Sequence, residues 1–308
     1  MILDVLIFLL ACLALVKSSG YTVTSISHLA RHFRLTEFVT SFIVVAIVSA
    51  LPETFIALIS AFRGEPALGL GTLLGGNIAD LTLILGLVAL AGGKTLRIHS
   101  SIVRKDLFFC LLALLPILLA LDGKIGRIDA AILLISGTVF LLVLLSERAS
   151  FHKPYQNGNH ALKQFALFTA GITIMLASAH FIVTSAEALA LTIGIPDLII
   201  GLILVALGTT LPEFTFSLQS IRKGHDSLAV GDLLGVVVVD ATLVIGFIAL
   251  ITPIAVEKSL VALIGVFTAF AAVFALIFMR TDETVTKNEG LALVLFYIAF
   301  VMVQVFIT

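Results

Sequence analysis

Glu53, Asp80, Glu213 and Asp240 stand deep inside long apolar stretches of the chain. A single charged side chain at the centre of a membrane helix costs about 2.5–3.5 kcal/mol on insertion scales, so four cost about 10 kcal/mol without compensation. No Lys or Arg lies equally deep in the stretches that hold them, because Arg63, Arg222 and Lys223 fall at the ends. Cations or protons are the partners that remain. The plainer alternative is four neutral, hydrogen-bonded, structural carboxyls. Two prolines add oxygen ligands: Pro52 cannot donate to the carbonyl of Val48, nor Pro212 to that of Gly208. Broken helices at membrane depth are tolerated where they line a polar site. Freed carbonyls, the hydroxyls of Ser49, Thr209 and Thr210, and the four carboxylates make an all-oxygen set. Such a set suits a hard cation such as Ca2+ or Na+ rather than zinc or copper.

The elements that position these groups follow from composition. Of 308 residues 60% are apolar and 12% charged, with a mean hydropathy of +1.21. A soluble domain is about 45–50% apolar and about 25% charged, so an ordinary cytosolic enzyme, a nucleic-acid binder and a disordered chain are all excluded. The net charge of −1 steers no partner. Ten apolar runs cover residues 2–31, 36–62, 67–91, 104–121, 128–146, 162–192, 196–221, 227–251, 259–280 and 289–307. None alternates as a barrel strand does, so each is expected to be a helix. The polar stretch Ser146–Lys163 divides them into five and five. The expected domains are 1–146, a linker at 147–161, and 162–308. On one side of the membrane lie Arg63, Lys124, Arg127 and Lys258, and thirteen Lys or Arg lie on the other, with Lys17 inside the first run. This bias makes the linker cytoplasmic and places both termini outside, in the plasma membrane.

The halves superpose without a gap at one constant offset, the one that carries Glu53 onto Glu213. Leu51-Pro52-Glu53 matches Leu211-Pro212-Glu213, and Gly71, Leu73, Leu74, Gly75 and Asp80 match Gly231, Leu233, Leu234, Gly235 and Asp240. From Ile43 to Leu90 against Ile203 to Leu250, 20 of 48 positions are identical. Five helices per half is an odd number, so the copies are expected to run in opposite directions across the membrane. Inverted repeats that meet at the midplane are the pattern of secondary transporters.

These residues resemble the two alpha-repeats of the sodium/calcium exchanger (cation/calcium antiporter) superfamily, whose pattern is GTSLPE followed by G-N/D-x-x-G-S-N-x-x-N/D. The second copy reads Ala206-Leu207-Gly208-Thr209-Thr210-Leu211-Pro212-Glu213, then Gly231-Asp232-Leu233-Leu234-Gly235-Val236-Val237-Val238-Val239-Asp240. The first reads Ala46-Ile47-Val48-Ser49-Ala50-Leu51-Pro52-Glu53, then Gly71-Thr72-Leu73-Leu74-Gly75-Gly76-Asn77-Ile78-Ala79-Asp80. The resemblance implies that Glu53 and Glu213 bridge Ca2+, together with Ser49, Thr209 and carbonyls near Ala46, Ser49, Ala206 and Thr209. It implies Na+ or H+ sites beside them that include Asp80 and Asp240. Three hydroxyls of the pattern are absent, since Ala50, Gly76 and Val236 stand in their places and only Thr210 keeps one. Asp80 is acidic where several relatives carry Asn. Sodium coupling is therefore expected to be weak, with protons as an alternative driver.

The function expected is secondary-active antiport of Ca2+ or a similar cation against Na+ or H+, by alternating access at a midplane carboxylate site. A proton-coupled antiporter without Na+ dependence and a gated cation channel are the alternatives. An intramembrane aspartyl hydrolase is a weaker one, because it needs one asymmetric acid dyad rather than two symmetric pairs. The chain is expected to be no enzyme and to need no cofactor. Its partners are inorganic cations and the bilayer, with no nucleic acid and no obligatory protein partner. No glycine-rich loop leads into a Lys-Ser/Thr helix start, so no ATP site is expected.

Overall fold

A computed structural model describes residues 2–32, 37–62, 64, 66–92, 96–97, 106–146, 161–192, 210–256, 258–280 and 284–307. Apart from four two-residue strands these residues are helical. Apolar surroundings demand this, because a helix satisfies its backbone polar groups internally. In the first half α1 spans Ile2–His32, α2 Glu37–Thr40, α3 Ala46–Ser49, α4 Leu51–Phe62, α5 Pro66–Ala79, α6 Leu85–Ala91, α7 Asp106–Leu119 and α8 Arg127–Ser146. In the second, α9 spans Ala161–Thr192, α10 Leu211–Arg222, α11 Asp226–Val238, α12 Ile245–Ile251, α13 Lys258–Arg280 and α14 Lys287–Ile307. Short π-helical turns at Ser41–Val45, Asp80–Ile84 and Val239–Val244 join α2 to α3, α5 to α6 and α11 to α12.

Among the described residues seven helices are long and apolar enough to cross a membrane, or eight if the bent pair Ser41–Ser49 and Leu51–Ile59 counts as one span. The ten apolar runs thus correspond to seven or eight such spans among the described residues. α7 is 14 residues long and falls short by that length. A 3-10 turn follows it at Ala120–Asp122, and Gly123, at φ 99°, ends the segment in a conformation that favours glycine. The run expected at 196–221 begins outside the described residues, as does most of the Ser146–Lys163 stretch.

Element bounds recur at the offset of the sequence repeat. α4 and α10 begin at Leu51 and Leu211, and α6 and α12 cover Leu85–Ala91 and Ile245–Ile251. Gly64 and Gly224 follow α4 and α10 in the same left-handed conformation, at φ 84° and 79°. β1 (Leu96–Arg97) pairs antiparallel with β4 (Thr284–Val285), and β2 (Lys124–Ile125) with β3 (Ile254–Ala255), so each pair joins one half to the other.

Along α1 apolar side chains face outward as well as inward. On α1, Leu10, Leu13 and Val16 are exposed, whereas Ser18, Ser19, Thr22 and Ser25 are buried. α1 packs along α9 and against α10. At the end of α10, Lys223 Nζ donates to the Gly20 carbonyl and to Thr24 Oγ1 on α1. With lipid outside, exposed apolar side chains cost nothing, and small or hydroxylated residues join Leu15, Val23 and Ile26 in the helix contacts. The two spans at the centre are Gly69–Ala91 and Asp226–Ile251, 72% and 78% buried. These are the spans that carry Asp80 and Asp240.

Candidate cation-binding site

The break at residue 50 follows from Pro52. Ala50 leaves the helical twist at φ −70°, ψ −1°, and the two half-helices meet at 46°. Thr210, ahead of Pro212, has a similar backbone conformation, φ −88°, ψ −2°. Glu53 and Glu213 consequently sit in the first turns of α4 and α10. There the unpaired N–H groups and the helix dipole favour negative charge. The opposite end of the break, the last turn of α3, presents carbonyls, and that of Ala46 accepts the Ala50 N–H at 3.0 Å. A broken helix therefore sets carbonyl and carboxylate oxygens side by side at membrane depth.

Asp80 opens one π-helical turn and Asp240 lies at the second position of another. A single π turn in a helix is frequent at functional sites. A threonine stands two residues after the acid in each turn. Thr82 Oγ1 donates to the Ile78 carbonyl and Thr242 Oγ1 to the Val238 carbonyl, the acceptors four residues back that a regular helix would offer to the Thr N–H. Gly137 on α8 lets Thr242 approach closely, since a Cβ there would strike Thr242 Oγ1.

Glu53, Asp80, Glu213 and Asp240 are all buried. A fifth acid joins them. Asp232, on α11, is fully buried, and its Oδ1 accepts the hydroxyl proton of Ser49 at 3.0 Å. The expectation of four deep carboxylates is corrected to five. Recurrence between the halves does not single out Asp232, because its counterpart is Thr72. A usable signal is present all the same, since Asp232 lies within the apolar run that starts at 227.

The five acids act on one another. Glu53 and Asp232, Asp80 and both of these, Glu213 and Glu53, Asp80 and Asp232, and Asp240 with Glu53 and Asp80 repel electrostatically. The charged neighbours that act on Glu53, Asp80, Glu213 and Asp240 are themselves carboxylates. Glu53 Oε2, Asp80 Oδ1, both Glu213 oxygens, Asp232 Oδ2 and Asp240 Oδ1 are buried without a hydrogen-bond partner among the described residues. Orphaned carboxyl oxygens of this kind are costly unless cations or protons meet them. Among the described residues no three acidic, His or Cys side chains close on one point to hold a metal ion. Electrostatic repulsion reaches further than coordination, which for Ca2+ takes 6–8 oxygens at about 2.3–2.6 Å. Carbonyls and hydroxyls must supply the balance. Ser49 and Thr210 are buried in this region, whereas Ala206 and Thr209 lie outside the described residues.

The two halves touch at equivalent positions. Asn77 Nδ2 on α5 donates at 3.4 Å to the carbonyl of Val237 on α11, its own counterpart in the repeat. Ser41 Oγ donates to the Leu228 carbonyl at 2.7 Å, tying the π turn before α3 to α11.

Comparison with known proteins agrees with this arrangement. The family model described as sodium/calcium exchanger protein matches residues 3–146 and 163–306. The inner membrane protein YrbG of Escherichia coli is 30% identical, over 82% of this chain and 81% of its own. The sodium/calcium exchanger MaX1 of Methanosarcina acetivorans is 26% identical, over 98% of each chain. Among solved structures, the sodium-calcium exchanger NCX_Mj soaked with 2.5 mM Na+ and 0.1 mM Ca2+ superposes with a TM-score of 0.84 at 25% identity, covering 98% of each chain. A broken helix, paired buried acids and a match that spans both halves lead to one assignment: the chain belongs to the sodium/calcium exchanger protein family.

Proposed function

We propose that the protein is a secondary-active antiporter that exchanges Ca2+, or a similar cation, for Na+ or H+ at a midplane carboxylate site. The observation that carries this reading is the group of five buried acids, four of which have other acids as their charged neighbours. Ca2+ is held by Glu53 and Glu213 with Ser49, Thr209 and carbonyls of Ala46 and Ala206, beside Thr210. Asp80 and Asp240 take the driving cation. Ten helices in two inverted five-helix units, residues 1–146 and 162–308, exchange access to the site, and α1 and α9 are the sliding elements. The element bounds that recur between the halves and the strand pairs that join them support this plan. Occupation by Ca2+ or by the driving ions neutralises enough charge for the site to change sides. The empty, ionised site does not cross, because a naked cluster of charges in a low-dielectric interior is prohibitively costly. Exchange is thereby obligatory.

Ca2+ uptake into proteoliposomes tests the reading and its coupling. Sodium needs about five or six oxygens, which hydroxyls supply without adding charge, and Ala50, Gly76 and Val236 supply none. A proton needs only one carboxylate. A pH gradient without Na+ is therefore expected to drive uptake, and a Na+ gradient at clamped pH to drive it more weakly. Strong uptake in the Na+ arm with none in the pH arm rejects proton coupling. No uptake in either arm rejects the antiporter.

The orientation is tested separately. The excess of Lys and Arg on the side of the Ser146–Lys163 stretch places that stretch in the cytoplasm and both termini outside, in the plasma membrane. In a chain whose Cys12 and Cys110 are replaced, a cysteine introduced by Asn157→Cys resists an impermeant thiol reagent added to sealed cells. Rapid labelling reverses the orientation.

A further inference from the structure

Ser49 and Asp232 meet across 183 residues of chain, both out of contact with solvent. A serine hydroxyl has one proton to give and two lone pairs to receive with. In the last turn of a helix it commonly gives that proton to a carbonyl three or four residues back. Here that carbonyl is Ala46 O at 3.5 Å, whereas Asp232 Oδ1 is at 3.0 Å. The carboxylate wins the proton by distance and by charge. Two consequences follow for the oxygens of α3. The Ser49 lone pairs point away from Asp232, and the Ala46 carbonyl, held by the Ala50 N–H at 3.0 Å, has the hydroxyl only at the long distance of 3.5 Å.

We propose that Asp232 is a positioning residue of the exchange site: by taking the Ser49 proton it presents the Ser49 oxygen, and the Ala46 carbonyl beside it, to the transported cation. This rests on the reading of Ser49 as a Ca2+ ligand given above. Ser49 is the small hydroxyl of the first half, and the helix that crosses behind it is α11 of the second. The equivalent position of the first half is Thr72.

The test is apparent KM and maximal rate for Ca2+ uptake into proteoliposomes of the full chain. Ser49→Ala and Asp232→Ala are each expected to raise KM about tenfold with little change in maximal rate. The double variant is expected to be no worse than Ser49→Ala alone, because one interaction is removed twice. Asp232→Asn keeps an oxygen acceptor and holds KM within about twofold. Should Asp232→Ala fail to assemble, Asp232→Leu, which keeps the branching and suits an apolar helix, takes its place with the same expected KM. Additive effects in the double variant overturn the proposal, as does a lowered maximal rate at unchanged KM. An Asp232→Asn defect as large as that of Asp232→Ala also overturns it, since charge rather than the hydroxyl bond would then be what matters. If Ser49→Ala leaves KM unchanged while wild type transports, Ser49 is no ligand and the proposal falls, but the antiporter stands. Absence of uptake by wild type removes both.

Discussion

Glu213→Gln is expected to lower Ca2+ uptake at least about a hundredfold while the protein still assembles. Glu213 is 1% exposed, and neither of its carboxylate oxygens has a hydrogen-bond partner among the described residues. Gln copies its shape and removes its charge. For a cation held in a low-dielectric interior, losing one anionic ligand costs about 3–5 kcal/mol, which is more than a hundredfold in affinity. The folded state loses nothing comparable. Glu213 stands among Glu53, Asp80 and Asp232, which repel it, so neutralising it relieves repulsion. The detergent-solubilised variant therefore melts no lower than wild type without Ca2+. It also loses the rise in melting temperature that Ca2+ gives wild type, because only a ligand that binds the native state stabilises it. Glu53→Gln is expected to behave in the same way. Full Ca2+ flux in either variant removes these glutamates from the site.

The second large effect is expected at a residue that carries no charge itself. Gly235 lies on α11 where that helix crosses the π turn and α3 that lead to Ser49 and Glu53. A Cβ at 235 would stand 2.6 Å from the Phe42 carbonyl oxygen, 2.6 Å from Ala46 Cβ and 2.9 Å from Phe42 Cα. Two of these are backbone atoms and cannot swing aside. Gly235→Ala gains about 1 kcal/mol of helix propensity but forces the helices apart, and overpacking costs about 1–3 kcal/mol. Gly235→Leu, which needs several times the space, is expected to give no monodisperse protein. Gly235→Ala is expected to assemble, melt lower and lose at least about tenfold in Ca2+ uptake, because the displaced helix carries the ligands. Ala46→Gly in the same chain removes one of the three contacts and restores part of the loss. A Gly235→Leu variant with wild-type melting and uptake would show that the crossing opens freely and does not position the site.

Much of this architecture is legible in the amino-acid sequence. Hydropathy is a local property, and it marks the apolar runs, seven or eight of which are membrane-length spans among the described residues, while Pro52 marks the break within one of them. Repetition between the halves picks out Glu53 with Glu213 and Asp80 with Asp240, because a duplicated functional residue survives as a pair. The same rule hides Asp232, whose partner position is Thr72. The π turns leave no mark in the sequence either. Neither Asp80–Ile84 nor Val239–Val244 contains Pro or Gly, and an apolar run looks alike with four or five residues per backbone bond.

By itself, then, the sequence determined that this is a helical membrane protein with acids paired by repetition inside its spans. Each of those facts depends only on transfer of residues into lipid and on comparison of the chain with itself. Tertiary structure alone decided which helix faces meet. Ser49 finds Asp232, and Gly235 admits Phe42 and Ala46, through contacts between segments from opposite halves of the chain. Nothing in hydropathy or spacing orders such contacts in an apolar chain, where most faces are equally at home in lipid. Small residues that permit close approach, and hydroxyls that need an acceptor, choose among them only once the helices are side by side.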